Sequence, residues 1–361
     1  MKNNNFILYI LFGFFIISII SLNSADNINI NVSNIVNKQI IWYIVGFLIM
    51  YLFIKVDLTF LYKNIWIFYL IFSFLLLTLL FYGPIINNAR CWFKIPGIGT
   101  IQISEFMKVV LLLKFSSFFA NTKNKNLFYV FVFSIIIILI PSILTFLEPD
   151  TGAVIMYFII LFSMIIYKGV RKKWLITFTI LIFLSLTIFI FIYYINNNLF
   201  LNIFGTSGFL RVERLTNWIN KEGLQLNRSL IAIGIGNITG TGFNNNLIYF
   251  PEAHTDFIFT IIASNFGFLG SVILIILILL FDCYLLNIGV KAKRIREKYF
   301  VIGSVSLLFY QQIQNIGMTF GLFPITGITL PFISYGGSSL LSYFIILGLI
   351  LNIKKNQLSW F

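Results

Sequence analysis

The sequence predicts an all-α integral membrane protein with about ten transmembrane helices and a long outer loop between helices seven and eight. Two observations lead to this fold class. First, 59% of the 361 residues are hydrophobic and only 10% are charged, whereas soluble domains carry about 25% charged residues. Second, the apolar residues form runs close to the ~20 residues that a helix needs to cross a bilayer. We expect one polytopic domain over residues 1–361.

The predicted spans are separated by short polar segments. The first run also has features of a secretory signal peptide, but it is long enough to cross a bilayer, and we interpret it as a retained helix. The eighth run is the longest and predicts a tilted or extended helix. The predicted limits are 6–22, 39–54, 64–82, 101–119, 127–147, 152–168, 174–196, 257–288, 300–322 and 336–353.

Lysine and arginine residues predict the orientation. Most of the 25 basic residues cluster in alternate connections, as at 171–173, 291–298 and 354–355, and the positive-inside rule assigns these connections to the cytoplasm. With Lys2 on the same side, both termini are predicted to be cytoplasmic. Because the clusters form no continuous basic domain, the net charge of +14 does not indicate a nucleic-acid-binding protein.

The connection 197–256 is the longest outer segment. Connections of this length are usually functional or disordered, and its apolar stretches argue against disorder. One part has an apolar helical face beside a basic one, which predicts a helix lying in the interface near anionic headgroups. An ordinary surface helix is the alternative. The two faces consist of Val212, Leu215 and Ile219 and of Arg211, Arg214 and Lys221, with Trp218 at their border.

This outer segment ends with the single histidine of the chain close to an acidic residue. His254 and Asp256 lie at the mouth of the eighth span, where an ionisable side chain is costly and indicates function. Asp256 could act as a general base, because partial desolvation raises the pKa of a carboxylate; alternatively, it only caps the eighth helix. His254 is either a hydrogen-bonding partner or the base. One histidine with scattered carboxylates predicts no zinc site.

Two more groups lie at predicted outer ends of spans. Asp150, in Glu148-Pro149-Asp150, either contributes to a site or caps the sixth helix. The segment 323–339 contains two prolines and repeated glycines. Irregular backbone at membrane depth is tolerated only against protein or a cavity, so this segment lines a site or serves as a hinge.

The fourth group surrounds the start of the fourth span. Glu105 and Lys108 are three residues apart, so they can pair on one helical face. Arg90 could bind a phosphate while the neighbouring Trp92 anchors the interface. All four groups lie on one side of the predicted topology, and together they predict an outward pocket suited to a phosphate-bearing lipid. The residues by themselves assign no reaction to that pocket.

The same stretches resemble the SEDS proteins, the RodA/FtsW/SpoVE group of bacterial peptidoglycan glycosyltransferases. The resemblance extends over nearly the whole chain in family order. It also implies ten transmembrane helices with a large outer loop after the seventh. The stretches that carry it are 89–92 with 104–108, 148–152, 251–259 and 315–339.

The resemblance implies that lipid II is polymerised into growing glycan strands at the outer face of the cytoplasmic membrane, for cell elongation or division. It implies that Asp256 is the catalytic base and that undecaprenyl pyrophosphate is the leaving group. A class B penicillin-binding protein would be the partner that supplies transpeptidation. No cofactor is certain, and a divalent cation (Mg or Mn) at the pyrophosphate is left open. The residues expected to bind substrate or support the cavity are Arg90, Trp92, Glu105, Lys108, Asp150, His254, Ser334, Gly336 and Ser338.

Two alternatives from other functional classes stay open at this point. A flippase for the lipid-linked precursor would place polar sites near the bilayer midplane, often with internal repeats, and neither is evident. A non-catalytic scaffold that activates the penicillin-binding protein would not need Asp256. Within the family, the segment 315–318 favours RodA, whereas 252–254 favours FtsW; we lean towards RodA.

Overall fold

The computed structural model describes residues 5–26, 34–86, 89–95, 99–123, 125–221, 223–245, 248–249 and 251–358. Lys2 lies outside the described residues. The elements are α1 (Asn5–Asp26), α2 (Ile35–Lys55), α3 (Leu58–Lys63), α4 (Ile65–Tyr82), β1 (Trp92–Ile95), β2 (Gly99–Gln102), α5 (Ile103–Asn121), α6 (Leu127–Leu147), α7 (Thr151–Lys168), α8 (Lys172–Ile195), α9 (Asn197–Asn220), α10 (Leu224–Gly236), α11 (Ile258–Lys291), α12 (Ile295–Thr319) and α13 (Gly337–Leu358).

A long helix occupies each of the ten predicted spans: α1, α2, α4 to α8, and α11 to α13. Eight of these are apolar and long enough to cross a membrane by themselves. The other two, α5 and α12, carry polar side chains such as Lys108, Lys114 and Gln311, which are buried against neighbouring helices. Polar residues in a membrane span face the protein interior. The all-α membrane fold is therefore confirmed.

Local sequence signals explain several helix ends. Asp57 caps α3 by accepting a hydrogen bond from the Thr59 amide at 2.8 Å, and Asn126 caps α6 through the Phe128 amide at 2.9 Å. Gly169 ends α7 with a left-handed backbone, φ 80°, which glycine adopts without steric cost.

The centre of the bundle is formed by α5 and α12. Helix α5 packs against α4, α7, α12 and α13, and α12 packs against α7 and α11. Helices α2 and α13 approach each other closely. A Cβ added at Gly348 would lie only 2.8 Å from the Met50 carbonyl oxygen. Small residues permit such close packing of membrane helices. Four helices, α5, α7, α11 and α13, begin at the same end of the bundle. This is the predicted outer end.

Helix α11 is long but not continuous, since Gly267 has a non-helical backbone at φ 63°. The turn after α10 docks into this break. The Phe268 amide donates to the Asn237 carbonyl at 2.9 Å, and the Thr241 amide donates to the Ser264 carbonyl at 2.9 Å. These backbone hydrogen bonds tie the outer segment to the helix that begins just after Asp256.

The predicted outer segment is largely helical and consists of α9 and α10. The predicted amphipathic faces are only partly correct, because Val212 is buried whereas Ile219 is 67% exposed. Arg211 and Arg214, assigned to a headgroup-facing surface, instead line an internal cavity together with Trp218. The interfacial position of the segment stays a prediction.

Candidate active site

A cavity of about 1400 Å³ lies at the end of the bundle where α5, α7, α11 and α13 begin. Helix α9 covers one side of it, and the segment before α13 forms another. Each of the four polar groups found in the sequence contributes to its wall, so the predicted convergence is confirmed. The predicted site residues that line it are Trp92, Glu105, Asp150, Asp256, Gly336 and Ser338.

Asp256 lies in the turn immediately before α11. Phe257, not Asp256, occupies the N-cap position, and no side chain caps this helix, so the capping alternative is wrong. The Asp256 carbonyl oxygen accepts a hydrogen bond from Asn315 Nδ2 at 2.9 Å. Asn315 also donates to the Ile328 carbonyl at 2.8 Å. The buried side-chain amide of Asn315 on α12 thus connects the turn that contains Asp256 to the backbone at Ile328.

The electrostatic surroundings of Asp256 suit a proton acceptor. Burial and the neighbouring Glu252 carboxylate raise the pKa of Asp256 from 3.8 to about 7, while Arg214 acts in the opposite direction. A general base works best when its pKa lies near the working pH. Gly327 borders the carboxylate, because a Cβ added there would lie 3.6 Å from Oδ2.

Asp150 both caps α7 and lines the cavity. Its Oδ1 accepts from the Ala153 amide at 3.0 Å. Its Oδ2 accepts from Gln102 Nε2 at 2.7 Å and from the Ser104 hydroxyl at 2.8 Å. The capping alternative is therefore correct for Asp150, and the hydrogen bonds hold this carboxylate in a fixed position on the wall.

Glu105 and Lys108 form the predicted pair on α5. Lys108 Nζ lies 2.6 Å from Glu105 Oε2, and the Lys108 side chain is fully buried. Ser342 of α13 donates to the same carboxylate oxygen at 3.2 Å. Glu105 faces the cavity, whereas Lys108 lies behind it. Lys108 thus neutralises the cavity wall and is not itself available to a substrate.

Besides Lys108, three of the residues predicted to bind substrate or support the cavity do not line it. Arg90 donates to the Leu80 carbonyl at 2.9 Å. His254 accepts a hydrogen bond through its carbonyl oxygen from the Tyr335 amide at 2.9 Å. Ser334 donates to the Thr255 carbonyl at 2.6 Å. The Ser334 hydroxyl thus positions the backbone beside Asp256, and substrate binding by Arg90 and Ser334 stays a prediction.

His254 and the small residues before α13 have distinct positions. The His254 ring packs against the Tyr335 ring at a centroid distance of 5.9 Å, and burial lowers its pKa. His254 therefore supports the turn that contains Asp256 without lining the cavity. Gly336 and Ser338 do line the cavity. The Ser338 hydroxyl accepts from the Gln102 backbone amide at 3.0 Å, which joins α13 to the antiparallel hairpin formed by β1 and β2.

The described residues contain no group of three or more His, Cys, Asp and Glu side chains placed to hold a metal ion. Asp256 and Glu252 are two carboxylates on one turn, and Mg²⁺ is usually bound by one or two carboxylates together with water and substrate phosphates. The divalent cation left open by the sequence therefore stays a prediction.

The FtsW/RodA/SpoVE family of cell cycle proteins matches residues 3–358 of this chain. The chain belongs to this family. Among its relatives, the probable peptidoglycan glycosyltransferase FtsW of Wigglesworthia glossinidia brevipalpis is 34% identical over 355 residues, covering 93% of this chain and 89% of that protein. Stage V sporulation protein E of Bacillus subtilis is 30% identical over 293 residues, covering 76% and 73%.

Solved structures agree with the family assignment at the level of the fold. A chain from a peptidoglycan synthase complex that coordinates polymerization and crosslinking has a TM-score of 0.80 at 24% identity, covering 98% of this chain and 97% of that one. The rod shape determining protein RodA of Thermus thermophilus has a TM-score of 0.71 at 22% identity, covering 98% and 96%. The sequence relatives compared are mainly named FtsW, so they do not support the lean towards RodA.

Sequence reasoning missed several residues at the site of this FtsW/RodA/SpoVE protein. Arg211 and Arg214 were recognised as basic but assigned to the membrane surface, and Gly327 was one glycine among many. Asn315 was noted only as part of a stretch that carries the family resemblance, and Gln311 was not singled out. A buried amide in a membrane helix is itself a signal of function, and that signal could have identified both.

Proposed function

We propose that this protein is a peptidoglycan glycosyltransferase that polymerises lipid II into glycan strands, with Asp256 as the general base. The observation that carries this proposal is a carboxylate with a pKa of about 7 on the wall of a cavity large enough for a lipid-linked sugar. The names of the sequence relatives, probable peptidoglycan glycosyltransferases, support the same reaction.

The proposed reaction is one glycosyl transfer. Asp256 takes the proton from an acceptor sugar hydroxyl, and the hydroxyl oxygen attacks the anomeric carbon of the donor. The new glycosidic C–O bond forms as the bond from that carbon to the diphosphate oxygen breaks, and its electron pair leaves with undecaprenyl pyrophosphate. A base held close to the attacking group contributes to catalysis both by proton transfer and by orientation.

The other predicted residues fall into supporting roles in this scheme. Trp92, Gly336 and Ser338 are proposed to contact the substrate from the cavity wall. Glu105 and Asp150 are proposed to orient sugar hydroxyls, since their carboxylates are already fixed by hydrogen bonds. The sequence leaves open whether a divalent cation takes part. If one does, most of its ligands must come from the diphosphate and water.

The proposed location is the bacterial cytoplasmic membrane, with the cavity on the outer face and both termini in the cytoplasm. The distribution of basic residues supports this orientation. A class B penicillin-binding protein is the proposed partner. The similarity in fold to a chain of a complex that coordinates polymerization and crosslinking supports this pairing.

The test is polymerisation of labelled lipid II by the purified protein with its partner. We expect Asp256→Ala to abolish polymer formation, whereas Asp57→Asn, an exposed capping carboxylate at the opposite end, should retain it. Activity that survives Asp256→Ala would refute the base assignment. Translocation of lipid II in vesicles without polymer would favour a flippase, and partner activation retained in Asp256→Ala without any polymer would favour a scaffold.

The pH dependence provides a second test of the base. Because only the unprotonated carboxylate accepts a proton, activity should rise with pH and level off above about pH 7. Glu252→Gln removes the like charge that raises the pKa of Asp256, so the acid limb should move to lower pH. A profile unchanged by Glu252→Gln would contradict the electrostatic account.

A further inference from the structure

Two arginines of α9 face the same cavity as Asp256. Arg211 and Arg214 are three residues apart, so they lie on one helical face, and both line the cavity. Glu213, the acidic residue between them, does not line it. The helix is held in place by Trp218, whose Nε1 donates to the Gly321 carbonyl at 2.9 Å.

Arg211 is fixed on the wall. Its Nη2 donates to the Phe146 carbonyl at 2.5 Å, and its guanidinium lies 3.9 Å from the centroid of the Phe146 ring. Its Nε is buried and has no hydrogen-bond partner. A buried charged donor without a partner is costly, so the contacts with Phe146 do not satisfy all the hydrogen-bond donors of Arg211.

Arg214 is exposed on the same face, and neither arginine forms an ion pair with a carboxylate of the described chain. The two like charges oppose each other, and burial together with Arg214 lowers the pKa of Arg211. An anion bound between the guanidinium groups would remove this repulsion. An arginine guanidinium often binds a phosphate group through two parallel N–H···O hydrogen bonds.

Lys38 of α2 also lines the cavity, but a lysine ammonium is a point charge that lacks the two-pronged donor geometry of a guanidinium. Two other cations nearby are less suited to this role. Lys108 is engaged by Glu105 at 2.6 Å, and Arg90 is turned to a backbone carbonyl outside the cavity. Arg211 and Arg214 line the same cavity as Asp150 and Asp256, and the charge of Arg214 acts on Asp256. An anion bound at the pair would therefore share the cavity with the base.

We propose that Arg211 and Arg214 form the diphosphate-binding site of the cavity and that its ligand class is a prenyl diphosphate. This inference rests on the proposed function, in which the diphosphate is the leaving group of the donor. Arg211 serves as the fixed half of the site. Arg214 is the exposed half, and it neutralises the charge that develops on the leaving oxygen beside Asp256.

The test is equilibrium binding of radiolabelled farnesyl diphosphate to the full-length protein in detergent, with no turnover required. Arg211→Gln and Arg214→Gln should each weaken binding roughly 10- to 100-fold, the effect of losing one charged hydrogen-bonding partner. Arg214→Lys should lose less. The matched control is Arg228→Gln, a half-buried arginine of the same outer segment that donates to the Tyr249 carbonyl and does not line the cavity.

The outcomes separate this site from general charge effects. Equal binding by all variants, or equal weakening by Arg228→Gln and Arg214→Gln, would overturn the proposal. Thermal unfolding of each variant identifies misfolding, and Arg214→Gln is the decisive one because its side chain is exposed.

A second readout is independent of affinity. Because Arg214 lowers the pKa of Asp256, the acid limb of the residual activity in Arg214→Gln should move to higher pH, the opposite of Glu252→Gln; an unchanged limb would contradict the position assigned to Arg214. If binding responds as expected but the wild-type protein forms no polymer, the diphosphate site stands and the proposed reaction fails.

Discussion

Replacing Asp256 by asparagine should abolish activity and at the same time stabilise the folded protein. The reason is the cost of holding an ionised carboxylate in the cavity. The pKa of Asp256 is about 7 in the folded protein and 3.8 for an exposed aspartate. The folded state therefore binds the proton more tightly, so the free energy of unfolding falls as pH rises from about 4 to about 7 and is constant above that.

The size of the effect follows from the pKa difference, at about 1.4 kcal/mol for each unit. The wild-type protein is destabilised by about 2 kcal/mol at about pH 5 and by about 4 kcal/mol at about pH 8. Asparagine has no charge to desolvate, so Asp256→Asn should gain these amounts as upper limits. The gain should increase by about 2 to 3 kcal/mol between the two pH values.

The assay is unfolding by SDS titration in mixed micelles at pH 5 and pH 8, with polymerisation measured on the same samples. Asp57→Asn is the control, because hydrogen bonds from Thr59 lower the pKa of Asp57, whereas the pKa of Asp256 is raised. This variant should therefore show no gain in the free energy of unfolding at high pH. A gain for Asp256→Asn that is absent, or identical at both pH values, would refute the reasoning.

Three further predictions concern residues around the cavity. Lys108→Met leaves the Glu105 carboxyl group buried without its partner, and should destabilise the protein by about 3–5 kcal/mol in the same unfolding assay. Asn315→Leu removes the donor to the Asp256 carbonyl and to a second buried carbonyl; it should cost about 2–4 kcal/mol and lower the polymerisation rate. Gly327→Ala introduces a side chain at φ 73°, costing about 1–2 kcal/mol, and crowds the base, so the rate should fall more than the stability.

Each of these has a discriminating comparison. Gly169→Ala has the same kind of backbone strain, φ 80°, with open space around the new methyl group, so it should lose stability but not activity. If it reduces the rate as much as Gly327→Ala does, crowding at Asp256 is not the cause. Lys108→Met combined with Glu105→Leu should recover most of the stability, because no charge is then left buried.

The helices and their order were predictable because the bilayer imposes a length and an apolar composition on every span. All ten predicted spans are helices, including α5 and α12, whose polar residues made them less apolar than the rest. The break in α11 at Gly267 was not predicted. It depends on the turn after α10 docking at this point, and a local pattern does not contain that contact.

The sequence by itself determined the membrane fold and the end of the bundle that carries the acidic groups, because charge is costly in an apolar span and so marks its own position. The choice of Asp256 among these groups came from the family resemblance. Only the tertiary structure decided which side chains reach the cavity. Arg90 and Lys108 are directed elsewhere, whereas Arg211 and Arg214 turn inward. The direction of a side chain next to a turn or on a covering helix depends on packing between distant elements, and spacing along the chain does not encode it.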